Sequence, residues 1–192
     1  MENRSSDKVK VARIIAMKGH PGTGKTTLAR CLASSLQVPL IDKDDVRDST
    51  YSLSTTTPQP LLNDLSYDVA FNIAATQLRL GLSVVIDSPL SRRAHLERLV
   101  RLAASVGARL VVVECKPRDE AEWRQRLENR GRSWHKPSTW RELEKLVEGY
   151  DGCTDYDVGD VPRVVVDTTA SADVEDIASS VMEFIAASCG GF

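Results

Sequence analysis

The sequence lacks closely spaced pairs of cysteine or histidine. Its four cysteines, Cys31, Cys115, Cys153 and Cys189, lie far apart, and its three histidines add no metal-ligand spacing. A disulfide framework or a zinc site is normally marked by such pairs. We therefore expect reduced thiols, as in a cytosolic protein.

Long apolar runs are also missing. No stretch approaches the roughly 20 apolar residues that a membrane-spanning helix needs. The first ten residues, 1–10, are polar and mixed in charge, without the apolar centre of a signal peptide. These absences predict a soluble cytoplasmic protein with a flexible N-terminus and no membrane partner.

The chain has little net charge, −2 at neutral pH. A dedicated nucleic-acid-binding domain is usually clearly basic, so this balance favours a small-molecule partner over a polynucleotide. The 192 residues are 42% hydrophobic, which suits one globular domain spanning 1–192. Nothing in the sequence indicates an oligomeric state.

Short apolar runs alternate with helical patterns along the whole length. Strands separated by helices pair in parallel through right-handed crossovers. This order predicts an α/β fold, a three-layer α/β/α sandwich around about five parallel strands. The predicted strands are Val11–Met17, Val38–Ile41, Leu82–Ile86, Arg109–Cys115 and Arg163–Val166.

The segments between these strands carry helical periodicity. Ser91 is the expected cap of the third helix, and Thr139 with Glu142 forms a capping box at the fifth. Ser52–Pro60 and Gly131–Ser138 interrupt the pattern and are expected to be loops, and the tail from Ser188 is expected to fray. The predicted helices are Thr26–Leu36, Leu61–Leu80, Ser91–Val106, Arg118–Asn129, Thr139–Glu148 and Val174–Ala187.

A glycine-rich loop lies between the first strand and the first helix. Its pattern Gly-x-x-x-x-Gly-Lys-Thr is the Walker A motif, whose backbone amides cradle phosphates. Lys25 is expected to reach the β- and γ-phosphates, and the Thr26 hydroxyl to bind Mg²⁺. The motif thus predicts ATP and Mg²⁺ as cofactors, with GTP left open. The predicted nucleotide-binding residues are Gly19, His20, Pro21, Gly22, Thr23, Gly24, Lys25, Thr26 and Thr27.

An acidic cluster, Asp42-Lys43-Asp44-Asp45-Val46-Arg47, directly follows the second strand. One interpretation is a solvated helix start, because acidic side chains favour a helix N-terminus. The other is an acceptor site, since ligands bind at the carboxyl ends of parallel strands and a carboxylate there can take a proton from an attacking hydroxyl. Spacing leaves open whether Asp42, Asp44 or Asp45 is that base.

Asp87 ends the third predicted strand, in the run Val84-Val85-Ile86-Asp87. An apolar strand ending in Asp resembles a Walker B arrangement, whose carboxylate holds Mg²⁺, often through water. The alternative is a plain strand-end Asp that caps the next turn. We predict Asp87 as a metal and substrate residue.

Two arginines, Arg126 and Arg130, are four apart at the end of the fourth helix and would share a helix face. They are either a solvated basic face paired with nearby glutamates or part of a lid that closes over the transferring phosphoryl group. Gly131 and a loop follow at once, which favours a lid over about residues 124–138. The roles of Trp134 and His135 in this segment stay open.

Together these pieces resemble the small P-loop kinases related to phage polynucleotide kinase, zeta toxins and chloramphenicol phosphotransferase. The likeness runs from Ile14 to about Gly149, and Asp44-Asp45-Val46-Arg47 is similar to the Asp-Asp-Tyr-Arg run of the phage enzyme. The resemblance implies Asp44 as catalytic base, Arg47 as acceptor contact, and Arg126 or Arg130 as lid arginine. Val46 departs from the family tyrosine and removes a stacking surface for a polynucleotide.

The sequence therefore predicts an ATP-dependent kinase that phosphorylates a hydroxyl of a small metabolite or nucleoside-like molecule. Lys25, Asp44, Arg126 and Arg130 are its expected catalytic residues, and Asp44, Arg47 and Asp87 its substrate contacts. A polynucleotide 5′-hydroxyl kinase is the first alternative, and a nucleotide-dependent regulatory ATPase or switch the second. Asp44→Ala is expected to abolish transfer and spare ATP binding if either kinase hypothesis holds, and to matter little if the protein is a switch.

Overall fold

The computed structural model describes residues 11–131 and 133–189. The predicted flexibility of residues 1–10 lies outside this range. Five strands form one parallel sheet in the order β2-β3-β1-β4-β5, which confirms the predicted fold class. The strands are β1 (Arg13–Lys18), β2 (Leu40–Asp42), β3 (Val84–Asp87), β4 (Arg109–Cys115) and β5 (Arg163–Val166).

Seven α-helices of the described chain accompany the sheet. A short 3₁₀ turn, Tyr51–Leu53, lies between the second and third. The helices are α1 (Lys25–Leu36), α2 (Lys43–Ser49), α3 (Gln59–Arg79), α4 (Arg93–Val106), α5 (Glu120–Asn129), α6 (Trp140–Tyr150) and α7 (Val174–Cys189).

The central strands are buried on both faces, and alternate residues of β1 pack into two separate apolar layers. Ile14 and Ala16 face a layer closed by α3 and α4. Ile15 and Met17 face a second layer closed by α1 and α7. This alternation follows from the two-residue period of a strand, and it explains why β1 has no polar face. Because the strands are parallel, β1, β2 and β3 end at one edge of the sheet, where the glycine-rich loop, the acidic cluster and Asp87 follow or end them.

Several local predictions are corrected. The segment Ser52–Pro60 is not a single loop, because it contains part of the 3₁₀ turn and the first residues of α3. Pro60 is accommodated in the first helical turn, where no amide donor is needed. Ser91 does not cap α4, which begins after Arg92 without a side-chain cap.

Other ends agree or shift by a few residues. The capping box of Thr139 and Glu142 is confirmed at the start of α6. Ser188 and Cys189 belong to α7 rather than to a frayed tail, and residues 190–192 lie outside the described range. In the part of the chain that is described, none of the helices is both long and apolar enough to cross a bilayer.

Candidate active site at the carboxyl edge of the sheet

The phosphate loop turns from β1 into α1, as its motif predicts. Gly19 has φ 142°, and a Cβ there would lie 2.6 Å from the Cys115 carbonyl oxygen. Gly24 has φ 77° and is the residue before the first turn of α1. Both positions require glycine, because side-chain residues rarely adopt positive φ and the first has no room for a Cβ.

Lys25 is the first residue of α1 and is 8% exposed. Its Nζ donates to the His20 carbonyl oxygen at 2.9 Å, across the loop. Burial lowers the pKa of this ammonium group, and the nearby Asp87 carboxylate opposes that effect. The lysine is thus folded over the loop, in reach of a ligand that the loop holds.

Three contacts that the sequence did not reveal hold the loop from outside. The Trp123 Nε1 of α5 donates to the Pro21 carbonyl oxygen at 2.9 Å, and the Thr168 hydroxyl donates to the Thr23 carbonyl oxygen at 2.7 Å. His20 is stacked against both Trp123 and Tyr150, with ring centroids 6.2 Å away in each case. His20 therefore packs between α5 and α6, so it does more than fill a variable position of the motif.

Two open cavities lie on either side of the end of α1. The first, which we name the α7 cavity, measures about 500 Å³ and lies between the loop and α7. The second, the α2 cavity, measures about 540 Å³ and lies between the loop and α2. Gly22, Thr26 and Arg130 line both cavities, so a ligand can extend from one to the other past these residues. Each predicted catalytic side chain lines at least one of them.

The three candidate bases of the acidic cluster differ in their position relative to the α2 cavity. Asp44 lines it, whereas Asp45 is exposed on the outer side of α2. The Asp42 carboxylate accepts a hydrogen bond from the Asp44 backbone amide at 2.8 Å, and Asp42 is the N-cap of the helix. The cluster therefore starts a helix, and that helix presents Asp44 to the cavity, while its role as an acceptor site stays a prediction.

Two lysines hold Asp44, and neither was predicted as a site residue. Lys43 Nζ lies 2.8 Å from Oδ1, and Lys136 Nζ lies 2.7 Å from Oδ2. Burial by itself would raise the pKa of the Asp44 carboxyl, but the two ammonium groups outweigh it and hold that pKa well below the usual range. Asp44 is therefore a carboxylate at neutral pH.

Arg47 is 3% exposed and lies beside the segment that follows α5. Its guanidinium stacks on the Trp134 ring at 4.3 Å and donates to the Thr50 hydroxyl at 3.1 Å and to the Gln59 side chain. Trp134 lines the α2 cavity, and its ring meets the Tyr51 ring edge-on. Because Trp134 does not line the α7 cavity, these contacts favour a role in anchoring the segment over stacking on a base in that cavity.

His135 contacts the outer side of α2 rather than the phosphate loop. Its Nε2 lies 2.9 Å from an Asp48 carboxylate oxygen. The segment from Trp134 to Lys136 thus touches α2 through three consecutive side chains, on Arg47, Asp48 and Asp44 respectively.

Asp87 is 3% exposed at the end of β3 and lies in register with Asp42 of β2. Asp87 and the Thr26 hydroxyl both line the α2 cavity. Among residues 11–131 and 133–189, no three acidic, His or Cys side chains form a ready-made metal cage. Mg²⁺ needs no such cage, because one or two protein oxygens, phosphates and water complete its shell. Thr26 and Asp87 fit this requirement.

Asp42 yields a prediction about stability. Burial and then the adjacent Asp87 carboxylate raise the pKa of Asp42 from 3.8 to about 6. Below about pH 4 Asp42 is protonated in both the folded and the unfolded state and costs no stability. As the pH rises from about 4 to about 6, the unfolded state releases this proton more readily, so the free energy of unfolding falls. Asp42→Asn removes the buried charge and keeps a good N-cap. Without nucleotide or metal, we expect it to raise the free energy of unfolding at pH 7 by about 1–3 kcal/mol.

The measurement is urea unfolding of both proteins between about pH 4 and pH 7, where the gap should widen with pH. Asp45→Asn is the matched control, because Asp45 lies in the same helical turn but is exposed. A gap that stays constant across this pH range would contradict the assignment.

The two predicted lid arginines occupy different places. Arg126 lines only the α7 cavity, where its guanidinium donates to the Thr168 carbonyl oxygen at 2.7 Å and to Glu122 at 2.7 Å. Arg130 lines both cavities and donates to the Pro137 carbonyl oxygen. Sequence periodicity put them on one helix face, but α5 ends at Asn129, so the two side chains diverge.

Known structures share this fold. A putative kinase from Chloroflexus aurantiacus superposes with a TM-score of 0.66 at 21% identity, over 93% of this chain and 98% of that one. A gluconokinase from Sinorhizobium meliloti gives 0.62 at 21% identity, over 93% of each chain. The Mycobacterium tuberculosis APS kinase CysC, in complex with AMPPNP and APS, gives 0.61 at 14% identity, over 91% of this chain and 98% of that one. The chain therefore shares its fold with these three structures.

Sequence comparison gives a broader assignment. Curated protein sequences show no significant match to the chain. The specific likeness to phage polynucleotide kinase, zeta toxins and chloramphenicol phosphotransferase stays a prediction. Residues 14–148 match AAA_33, a family of AAA domains, over more than half of the chain, and the protein belongs to that family.

Proposed function

We propose that this protein is an ATP-dependent kinase that transfers the γ-phosphoryl group to a hydroxyl of a small molecule. The observation that carries this proposal is that Asp44 lines the same cavity as Lys25 and Thr26 of the phosphate loop. A switch protein needs the loop but has no need of a half-buried carboxylate on the far side of that cavity. Asp44 therefore supports chemistry on an acceptor.

The two cavities divide the reactants. The nucleoside occupies the α7 cavity beside Arg126, and the acceptor occupies the α2 cavity beside Asp44 and Arg47. The terminal phosphate lies between them, next to Thr26 and Arg130. The bond from the γ-phosphorus to the bridging oxygen breaks, a bond to the acceptor oxygen forms, and ADP leaves. The acceptor proton passes to Asp44.

The residues of the proposed site bind the substrates and orient them. The loop amides and Lys25 bind the phosphates, and Arg130 meets the charge of the transferring group. Mg²⁺, held by Thr26 and Asp87, would neutralise negative charge on the phosphates. Residues 124–138 act as a lid in this proposal: Leu127 of α5 lies beside Gly22 of the loop, and Trp134 to Lys136 contact α2.

A small acceptor is favoured over a polynucleotide. The α2 cavity measures about 540 Å³, within the range of small-molecule sites. The structural neighbours named as gluconokinase and APS kinase indicate acceptors of this size.

One domain spanning 1–192 is consistent with coverage of 93% of the chain by a single neighbour.

The test is a panel of hydroxyl compounds with γ-labelled ATP, including sugars, sugar acids, nucleosides and a 5′-hydroxyl oligonucleotide. We expect label on at least one small molecule, and Lys25→Met serves as the control without a working phosphate loop. Transfer to the oligonucleotide alone would support the polynucleotide kinase instead. ATP binding without transfer to any class would refute the kinase proposal.

A further inference from the structure

The α2 cavity carries an excess of positive charge. Its lining has six basic side chains against two carboxylates: Lys25, Lys43, Arg47, Arg92, Arg130 and Lys136 against Asp44 and Asp87. In the proposed reaction Lys25 and Arg130 face the nucleotide, and Asp87 faces its metal. The acceptor then meets four basic side chains and the single carboxylate Asp44.

Each oxygen of that carboxylate already pairs with one lysine. Lys43 takes Oδ1 at 2.8 Å, and Lys136 takes Oδ2 at 2.7 Å. A carboxylate oxygen can accept a further hydrogen bond, so a hydroxyl can approach Asp44 beside these lysines, whereas an anionic group near Asp44 competes for one of them. Lys43 is 4% exposed and is fixed by Asn63 at 3.3 Å, whereas the Lys136 side chain is 30% exposed. Lys136 is the lysine that can leave.

Arg47 adds a buried cation whose partners in the described chain are neutral. They are Thr50, Gln59 and the Trp134 ring, and no described carboxylate forms an ion pair with this guanidinium. Burial lowers the pKa of this guanidinium, and the Asp44 and Asp48 carboxylates oppose that effect without forming an ion pair with it. An anionic ligand in the cavity would supply the direct counter-charge that Arg47 lacks. Arg47 and Lys136 both line the α2 cavity, and Trp134, on which Arg47 stacks, is two residues before Lys136.

We infer that the acceptor is itself an anion, whose negative group binds Lys136 and Arg47 while its hydroxyl binds the Asp44 carboxylate. This inference rests on the proposed kinase function and adds the substrate class, a small hydroxylated carboxylate or phosphate. A neutral alcohol offers Lys136 no counter-charge in exchange for Asp44.

The first experiment measures binding without requiring transfer. The protein is saturated with Mg²⁺ and AMPPNP, so that the phosphate loop is filled, and is then titrated with sulfate or malonate at constant ionic strength. We expect thermal stabilisation by these anions beyond that given by chloride. Absence of such stabilisation in the wild-type complex overturns the inference.

Variants locate the anion. Lys136→Met should lose the stabilisation, and Lys136→Arg should retain most of it. Lys145→Met is the matched control, because Lys145 is exposed on α6 and lines neither cavity. Equal anion stabilisation in Lys136→Met and wild type would place the anion elsewhere and refute the inference.

The second experiment uses pairs of acceptors that share hydroxyls and differ in charge: gluconate with glucose, and glycerol 3-phosphate with glycerol. We expect the charged member of a pair to bind the AMPPNP complex at least about tenfold more tightly. Equal or tighter binding of the neutral members overturns the inference, and their phosphorylation would leave the kinase proposal standing. Anion binding with no phosphoryl transfer in the full panel would instead refute the kinase proposal.

Discussion

Arg130→Gln should lower kcat by about 10³–10⁵-fold, the range that a transition-state arginine contributes in phosphoryl transfer. Arg130 is the only basic side chain that lines both cavities of the described site, and it does so where the γ-phosphate passes from donor to acceptor. In the structure its guanidinium is bound to the Pro137 carbonyl oxygen, a neutral partner that a phosphoryl group can replace. Charge develops on that group during transfer, so the loss falls on kcat.

The neighbouring arginines supply controls on the same segment. Arg126→Gln should raise the KM for ATP more than it lowers kcat, because Arg126 lines only the α7 cavity. Arg124→Gln should change neither, since Arg124 is exposed and paired with Glu128 four residues on. Steady-state kinetics on the acceptor found in the panel measure all three. A large kcat loss in Arg126→Gln with a small one in Arg130→Gln would reverse the two assignments.

The sequence predicted the parts of the site that local rules determine. The loop from Gly19 to Thr26 needs glycine at fixed positions, so its motif and its geometry are inseparable. The order of strands and helices predicted the parallel sheet, and the sheet in turn brings Asp44 and Asp87 to the same edge as the loop. These placements depend on chain order and side-chain period, both of which are visible in one sequence.

Contacts between distant segments were not predictable in this way. Lys136 lies on Asp44, and Trp123 bonds to Pro21, a residue 102 positions away. Nothing in the local pattern around Lys136 distinguishes it from an exposed lysine, because its partner is selected by how the segment after α5 packs on α2. The same packing determines that Arg47 stacks on Trp134.

The second strand shows where local rules compete. Periodicity predicted Val38–Ile41, but the observed strand is Leu40–Asp42. Asp42 pairs in register with Asp87 and also caps α2, so one residue ends the strand and starts the helix. Acidic residues at a helix start were recognised from sequence, but which carboxylate turns into the cavity depends on the helix that Asp42 initiates.

Asp44→Asn should lower the rate of phosphoryl transfer by about 10²–10⁴-fold, the contribution of a general base. The amide keeps the size of the side chain but cannot accept the proton of the hydroxyl. Since the Asp44 carboxylate stays ionised at neutral pH, its principal task is to orient the hydroxyl and take the proton late in the transfer. AMPPNP affinity should change little, because Asp44 lies outside the loop and the α7 cavity.

The substitution also removes the counter-charge of the buried Lys43, so folding must be checked separately. Unfolding curves and AMPPNP titrations of the variant serve this purpose, and Asp45→Asn is the matched control because it removes a neighbouring exposed charge. Retention of most of the transfer rate in Asp44→Asn, with loss in Asp42→Asn, would move the base to Asp42. If Asp44→Asn is folded, binds AMPPNP and no longer transfers phosphate, then the transfer step depends on Asp44 while nucleotide binding does not.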